Sequence, residues 1–315
     1  MTFAHKWIGH TIALAAAISI GAVGAPSSAR ASAPDAQEPA VQRTVKVPFA
    51  PPIGKTLRYR FTRTQTGGVR GRDAAFDMGV RFESLAGGGY RMQVSMTALG
   101  LPPAARRTEA VRVMEAPITF RVTADGVISG LENEAAYWAS LERISRQIIA
   151  ADPKAGPDDQ RLMSTVQQQM RDAPPEQRLA LLAKNVQPLL EFSSTEFEIG
   201  KRMESQAEVI LPFAALADRK IPRLTQVVAE SADTATVTFA GMMRLDPAAL
   251  ARAMEALAAL GPKGPQSIPE LQIDQRMSYV VSRQTGLTLR YTETIESGSG
   301  ADHLKRVTTL QFLGD

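Results

Sequence analysis

The stretch Lys55-Thr56-Leu57-Arg58-Tyr59-Arg60-Phe61-Thr62-Arg63 sets Leu57, Tyr59 and Phe61 two residues apart and fills the gaps with Arg58, Arg60 and Thr62. Successive side chains of a strand leave opposite faces, so this alternation predicts a strand with one face buried and the other in water. The pattern recurs in Phe76, Met78, Val80 and Phe82, and again in Tyr90, Met92, Val94 and Met96. Gly87-Gly88-Gly89 separates those two sets and supplies the positive φ that a tight reversal needs. Three antiparallel strands in succession are expected.

A fourth strand, with Ile118, Phe120 and Val122, runs to the hairpin signal Asp125-Gly126 and continues in Val127 and Ile128. The period then changes. Ser129 and Glu132 have capping-box spacing, and Trp138, Leu141, Ile144 and Ile148 keep helical spacing as far as Asp152-Pro153. Helical stretches are also predicted from Pro157 to Arg171 and from Pro175 to Leu190, so residues 131–190 read as a helical insertion. Alternation returns at Gln206–Leu211, Arg223–Glu230 and Thr236–Phe239. A second, short helical region has Asp246 as its N-cap, Pro247 as its first residue, Leu250, Met254 and Leu257 on one face, and Gly261-Pro262 at its end. Met277, Tyr279 and Val281, then Leu287, Leu289 and Tyr291 across Gln284-Thr285-Gly286, and lastly Leu310 and Phe312 supply the closing strands.

Nine to ten strands without regular βαβ alternation predict an α+β chain with a mainly antiparallel sheet. The expected architecture is a strongly curved sheet or incomplete β-barrel whose concave face is filled by the helical insertion; a β-sandwich is the alternative. One β-rich domain is expected over residues 48–315.

Upstream, His5, Lys6 and His10 precede an apolar, charge-free run from Thr11 to Ala25, the order of a secretory signal peptide. The run is too short to anchor in a bilayer. Ala29-Arg30-Ala31 fits small-x-small cleavage, with Ala31-Ser32-Ala33 as the alternative cut, so residues 1–31 read as a signal peptide and the product as periplasmic or secreted. Residues 32–47, which lack apolar periodicity, read as a disordered leader.

Composition narrows the function. Without residues 1–31 the chain keeps 34 basic against 32 acidic side chains, a formal charge of +2, which gives no reason to expect a nucleic-acid partner. The nearest cationic group is Arg58, Arg60, Arg63, Arg70 and Arg72. Strand alternation accounts for Arg58 and Arg60 as a solvated face, with an anionic partner such as a lipid headgroup or polysaccharide as the alternative. There is no cysteine, hence no disulfide and no thiolate metal site. His303 is the one histidine beyond the signal segment and reads as a turn residue, so Ser-His and multi-histidine arrangements are not expected.

Gly54-Lys55-Thr56 matches the end of a phosphate-binding loop, but Phe49 stands where that motif needs glycine, and a strand follows instead of a helix. Glu191, Glu196 and Glu198 form the densest carboxylate group. Glu196 and Glu198 share one strand face and read as a solvated edge. No catalytic residue, metal ligand or cofactor site is assigned. Tyr59, Phe61, Met78, Phe82 and Met92 on the sheet, Trp138 on the insertion and Met254 on the short helix are the candidate ligand-binding residues, since methionine adapts to irregular apolar contents. Ordinary core packing is the competing reading of all seven.

Gly54-Lys55-Thr56-Leu57-Arg58-Tyr59, Phe120 through Gly126, and Thr285-Gly286-Leu287 together resemble exported bacterial proteins of unknown function whose β-rich chains begin with a G-x-x-x-x-Y strand and end in a T-G hairpin. The arrangement is also similar to periplasmic lipoprotein carriers, in which helices close an open half-barrel over a lipid cavity. The resemblance implies a binding module of the cell envelope for a lipid or other apolar molecule, with peripheral envelope contact. A structural or interaction protein with a fully packed interior is the alternative.

Overall fold

The computed structural model describes residues 44–67, 73–99, 111, 115–151, 168, 171–210, 220–259, 272–299 and 302–315. The expected signal peptide, most of the expected leader, most of the 157–171 helix and Gly261-Pro262 lie outside them.

Strands β1 (Thr44–Val47), β2 (Thr56–Thr66), β3 (Ala74–Ser84), β4 (Tyr90–Ala98), β5 (Ile118–Val122) and β6 (Ile128–Leu131) lead into helices α1 (Glu134–Ala151) and α2 (Pro175–Ala183). A 3-10 turn at Gln187–Leu189 and strands β7 (Thr195–Glu198), β8 (Arg202–Ile210), β9 (Lys220–Ala232) and β10 (Thr236–Leu245) follow. Helix α3 (Pro247–Ala259) then precedes β11 (Gln272–Ser282), β12 (Thr288–Ser299) and β13 (Asp302–Gly314). Eleven strands form one antiparallel sheet in the order β6-β5-β4-β3-β2-β13-β12-β11-β10-β9-β8. Its end strands β6 and β8 do not pair with each other, so the sheet is not closed into a barrel. The chain is β-rich α+β.

The period-two reading sets the face. Leu57, Tyr59 and Phe61 are buried while Arg58 and Arg60 are exposed, and Arg60 holds Asp77 of β3 through two hydrogen bonds of 2.8 and 3.2 Å. In register, Phe61 stands beside Leu310 and Phe76, and Tyr59 beside Phe312 and Met78. This core face packs against Val186, Leu189, Leu190 and Phe192, which follow α2. Thr288 donates to the Pro188 carbonyl at 2.7 Å and ties that segment to β12.

Phe192 and Ser193 reach strands far apart in the sheet order. The Phe192 ring stacks on Phe239 of β10 at 4.0 Å, while Ser193 lies so near Gly126 of the β5–β6 hairpin that a Cβ there would stand 2.5 Å from its own.

Several expectations change. Thr44–Val47, at the end of the segment read as leader, form a strand: β1 pairs with β7, burying Val45 and Val47. Ser129 is not a helix cap, since it lies in β6 and donates to the Arg121 carbonyl, while the Glu132 carboxylate is engaged by Arg91 at 3.1 Å. Asp246 does cap α3, accepting from Ala249 N at 2.6 Å. His303 sits within β13 opposite Gly298, not in a turn. Thirteen strands are present among the described residues, where nine to ten were expected; the four-residue β1 is among the additional ones.

Candidate ligand-binding site

Tyr59, Phe61, Met78, Phe82 and Met92 come together in one buried cluster and are at most 4% exposed. They share that cluster with Leu189, Leu190 and Phe192. Trp138 is half-buried on α1 with its ring 6.4 Å from Tyr137; Tyr137, not Trp138, packs against the cluster. Met254 belongs to α3, whose Leu250 and Ala253 pack in a second cluster with Ile221 and Leu245; its side chain lies outside the described residues. Five of the seven candidates thus share one buried cluster.

Toward the other end of the core face the same strand rows become polar. On β2 the row Leu57, Tyr59, Phe61 continues in Arg63 and Gln65. On β13 Leu310 is preceded by Thr308 and Arg306, and on β12 Tyr291 is followed by Glu293. The register places Arg63 beside Thr308, Thr308 beside Glu293, and Glu293 beside Met277. Gln275 donates to the Glu293 carboxylate. Lys184, which follows α2, is within electrostatic reach of Arg63, Arg306 and Glu293.

Their hydrogen bonding is incomplete. Arg63 Nε, Arg306 Nε and Thr308 Oγ1 are buried and no described protein group hydrogen-bonds to them, although Thr308 is only 4% exposed. A buried polar atom left without a partner costs about 1–3 kcal/mol, and such atoms are few in native proteins. Arg223 Nε, farther along the same face on β9, is a fourth. Arg63 stacks over Phe61 at 5.3 Å, a contact that holds the guanidinium without engaging Nε.

Burial and like charge act together here. Desolvation, followed by the neighbouring Arg306, pushes Lys184 from 10.5 down to about 8. Burial also lowers Arg63, with Arg306 adding to the effect. Burial raises Glu191, opposed by Arg223. Yet Glu191 keeps solvent-accessible surface between the buried Leu190 and Phe192. Tyr279 and Tyr291, 4.7 Å apart, are raised well above their ordinary value by burial and by the carboxylates of Glu191 and Glu293.

The shift of Lys184 yields a stability prediction. An unfolded chain holds this proton to about 10.5, whereas the folded chain releases it near 8, so the penalty of the buried charge is fully present below pH 8 and is relieved as pH rises toward 10.5. Lys184→Met is expected to stabilise the protein at pH 7 by about 1 kcal/mol after allowance for partial solvation. That gain should vanish by pH 10.5 in thermal melts. A variant less stable than wild type at pH 7 would show that the contacts of Lys184 outweigh its desolvation.

The polar row carries its own sequence signal: Arg63 has the parity of Tyr59, Arg306 that of Leu310, and Glu293 that of Tyr291. Glu191 separates from Glu196 and Glu198, which lie on β7, where Glu196 pairs with Lys46 at 3.3 Å; Glu198 pairs with Lys201 at 3.0 Å. Gly54 adopts φ +76° and leads into β2, while Lys55 pairs with Asp315 at 2.8 Å. No model of a known protein family matches this chain, and no curated protein does.

Proposed function

We propose that the protein is a non-catalytic binding module, exported to the periplasm or beyond by its N-terminal signal, that holds a lipid-like amphiphile against a strongly curved sheet. Phe192 and Ser193 support the curvature. β5 and β10 are seven strand positions apart in the sheet order, about 34 Å if the sheet were flat. Consecutive residues, whose Cα atoms are about 3.8 Å apart, touch the β5–β6 hairpin and β10. A sheet bent into an incomplete barrel satisfies both contacts.

The observation that carries the binding reading is the change of burial along the core face. Its Tyr59 end is sealed by the 186–192 segment. Its other end presents half-buried Val227, Met277 and Ile295 in the same face as the polar row. Apolar surface next to enclosed polar groups suits a molecule with both characters. The sealed end favours the second reading, an interaction protein with a filled interior, and confines any ligand to the half-buried end.

Native mass spectrometry of gently purified protein, followed by organic extraction, tests this. About one extractable amphiphile per chain is expected, and fluorescent fatty-acid probes should bind saturably. Protein that releases no such molecule and binds no probe would favour the filled-interior reading.

A further inference from the structure

We infer that the neighbouring Arg63, Thr308 and Arg306 form a receptor for the oxyanion headgroup, carboxylate or phosphate, of the bound amphiphile. The inference rests on the binding reading above and specifies the chemical class of its ligand.

Three features converge on an anion. The first is composition: Arg63 and Arg306 outnumber Glu293, and the Glu293 carboxylate is already taken by Gln275 and faces the Tyr291 hydroxyl. The second is hydrogen-bonding capacity: Arg63 Nε and Arg306 Nε are donors without acceptors, and Thr308 Oγ1 lies between them on the same face, able to donate as well. Guanidinium groups offer planar, paired donors that match carboxylate and phosphate oxygens. The third is placement: Arg63 follows Phe61 by one inward step, and Met277 adjoins Glu293, so a headgroup on the arginines would lay its apolar tail along half-buried apolar surface.

Like-charged groups held together in partial burial destabilise the unliganded fold and are relieved by a bound anion. The outward arginine Arg60 shows the contrast, since it is exposed and fully engaged by Asp77.

The test measures binding of oleate, dodecyl phosphate, oleyl alcohol, acetate and inorganic phosphate to the full chain after signal removal. Oleate or dodecyl phosphate should bind at least 10-fold more tightly than oleyl alcohol, with acetate and inorganic phosphate weaker than either amphiphile. Arg63→Gln with Arg306→Gln should reduce that preference to less than 3-fold while oleyl alcohol affinity stays within 2-fold, and Arg60→Gln should change neither. Equal affinity of the wild-type chain for oleate and oleyl alcohol would overturn the headgroup receptor and leave the binding module standing. Binding of inorganic phosphate alone would overturn the amphiphile in favour of a free oxyanion. Failure of every probe would remove the binding reading itself. The wild-type comparison decides the matter even if the double variant does not fold.

Discussion

Replacing Phe192 by alanine is expected to destabilise the protein by about 3–5 kcal/mol, the range for removing a buried phenyl ring. Phe192 is 5% exposed, stacks on Phe239, and meets Tyr279 and Phe197 edge-on at 4.8 and 5.6 Å. Those partners belong to β10, β11 and β7, so one ring joins the segment after α2 to the main sheet and to the small β1–β7 pair. The effect should go beyond a cavity. With the ring absent, Leu189 and Leu190 lose their neighbour over the core face, and amide exchange across 187–193 should accelerate more than exchange in β2 and β3. Phe192→Leu keeps most of the volume and is expected to lose less than half as much in urea denaturation. A loss below 1 kcal/mol for the alanine variant would mean that this segment does not seal the core.

Gly286→Ala is the second large effect, and its cause is backbone geometry. Gly286 has φ +74°, and a Cβ there would stand 1.7 Å from the Pro48 carbonyl oxygen and 2.8 Å from its carbon. Neither is the end of a flexible side chain. The β11–β12 hairpin grips the chain entering β2: Ala50 N donates to the Thr285 carbonyl at 3.0 Å, and Ser193 donates to the Gly286 carbonyl at 3.2 Å. A methyl group must push the segment at Pro48 away while the backbone remains left-handed. Strain of about 1–3 kcal/mol adds to displacement of similar size, giving a loss of about 2–5 kcal/mol. Gly88→Ala is the control: its φ is +88° but nothing lies within 4 Å of a Cβ there, so only the strain remains. Equal midpoints for the two variants in urea would refute the role of Pro48.

The antiparallel sheet was legible wherever a strand had one wet and one dry face long enough to count. Residues 55–63, 76–82 and 90–96 all obey that rule, and so do the glycines that turn between them. β1 escaped because Thr44-Val45-Lys46-Val47 is four residues long and its partner β7 lies some 150 residues away, so no local pattern announces it. Ser129 misled for a related reason: its spacing to Glu132 fits a cap, but strand pairing to β5 and the pull of Arg91 decide the matter.

The candidate site was legible in the same alternation, though only in part. Apolar parity led to Tyr59, Phe61, Met78, Phe82 and Met92, which do share the core. Arg63 was grouped with Arg58 and Arg60 by charge, whereas parity separates it from them and joins it to Phe61. Arg306 and Glu293 follow the same rule on their own strands. What no single strand can show is that these rows adjoin, because β2, β13 and β12 become neighbours only through the register of the whole sheet. The role of Lys184 depends on where α2 ends against that sheet.

The proposed amphiphile would lie on the half-buried end of the core face. Photo-crosslinking with a diazirine-bearing fatty acid, mapped to residues by mass spectrometry, tests this placement. Saturable labelling of Val227, Met277 and Ile295 that excess oleate abolishes is expected. Labelling confined to the outward apolar residues Ile53, Val127 and Leu313, or labelling that oleate does not compete, would contradict it.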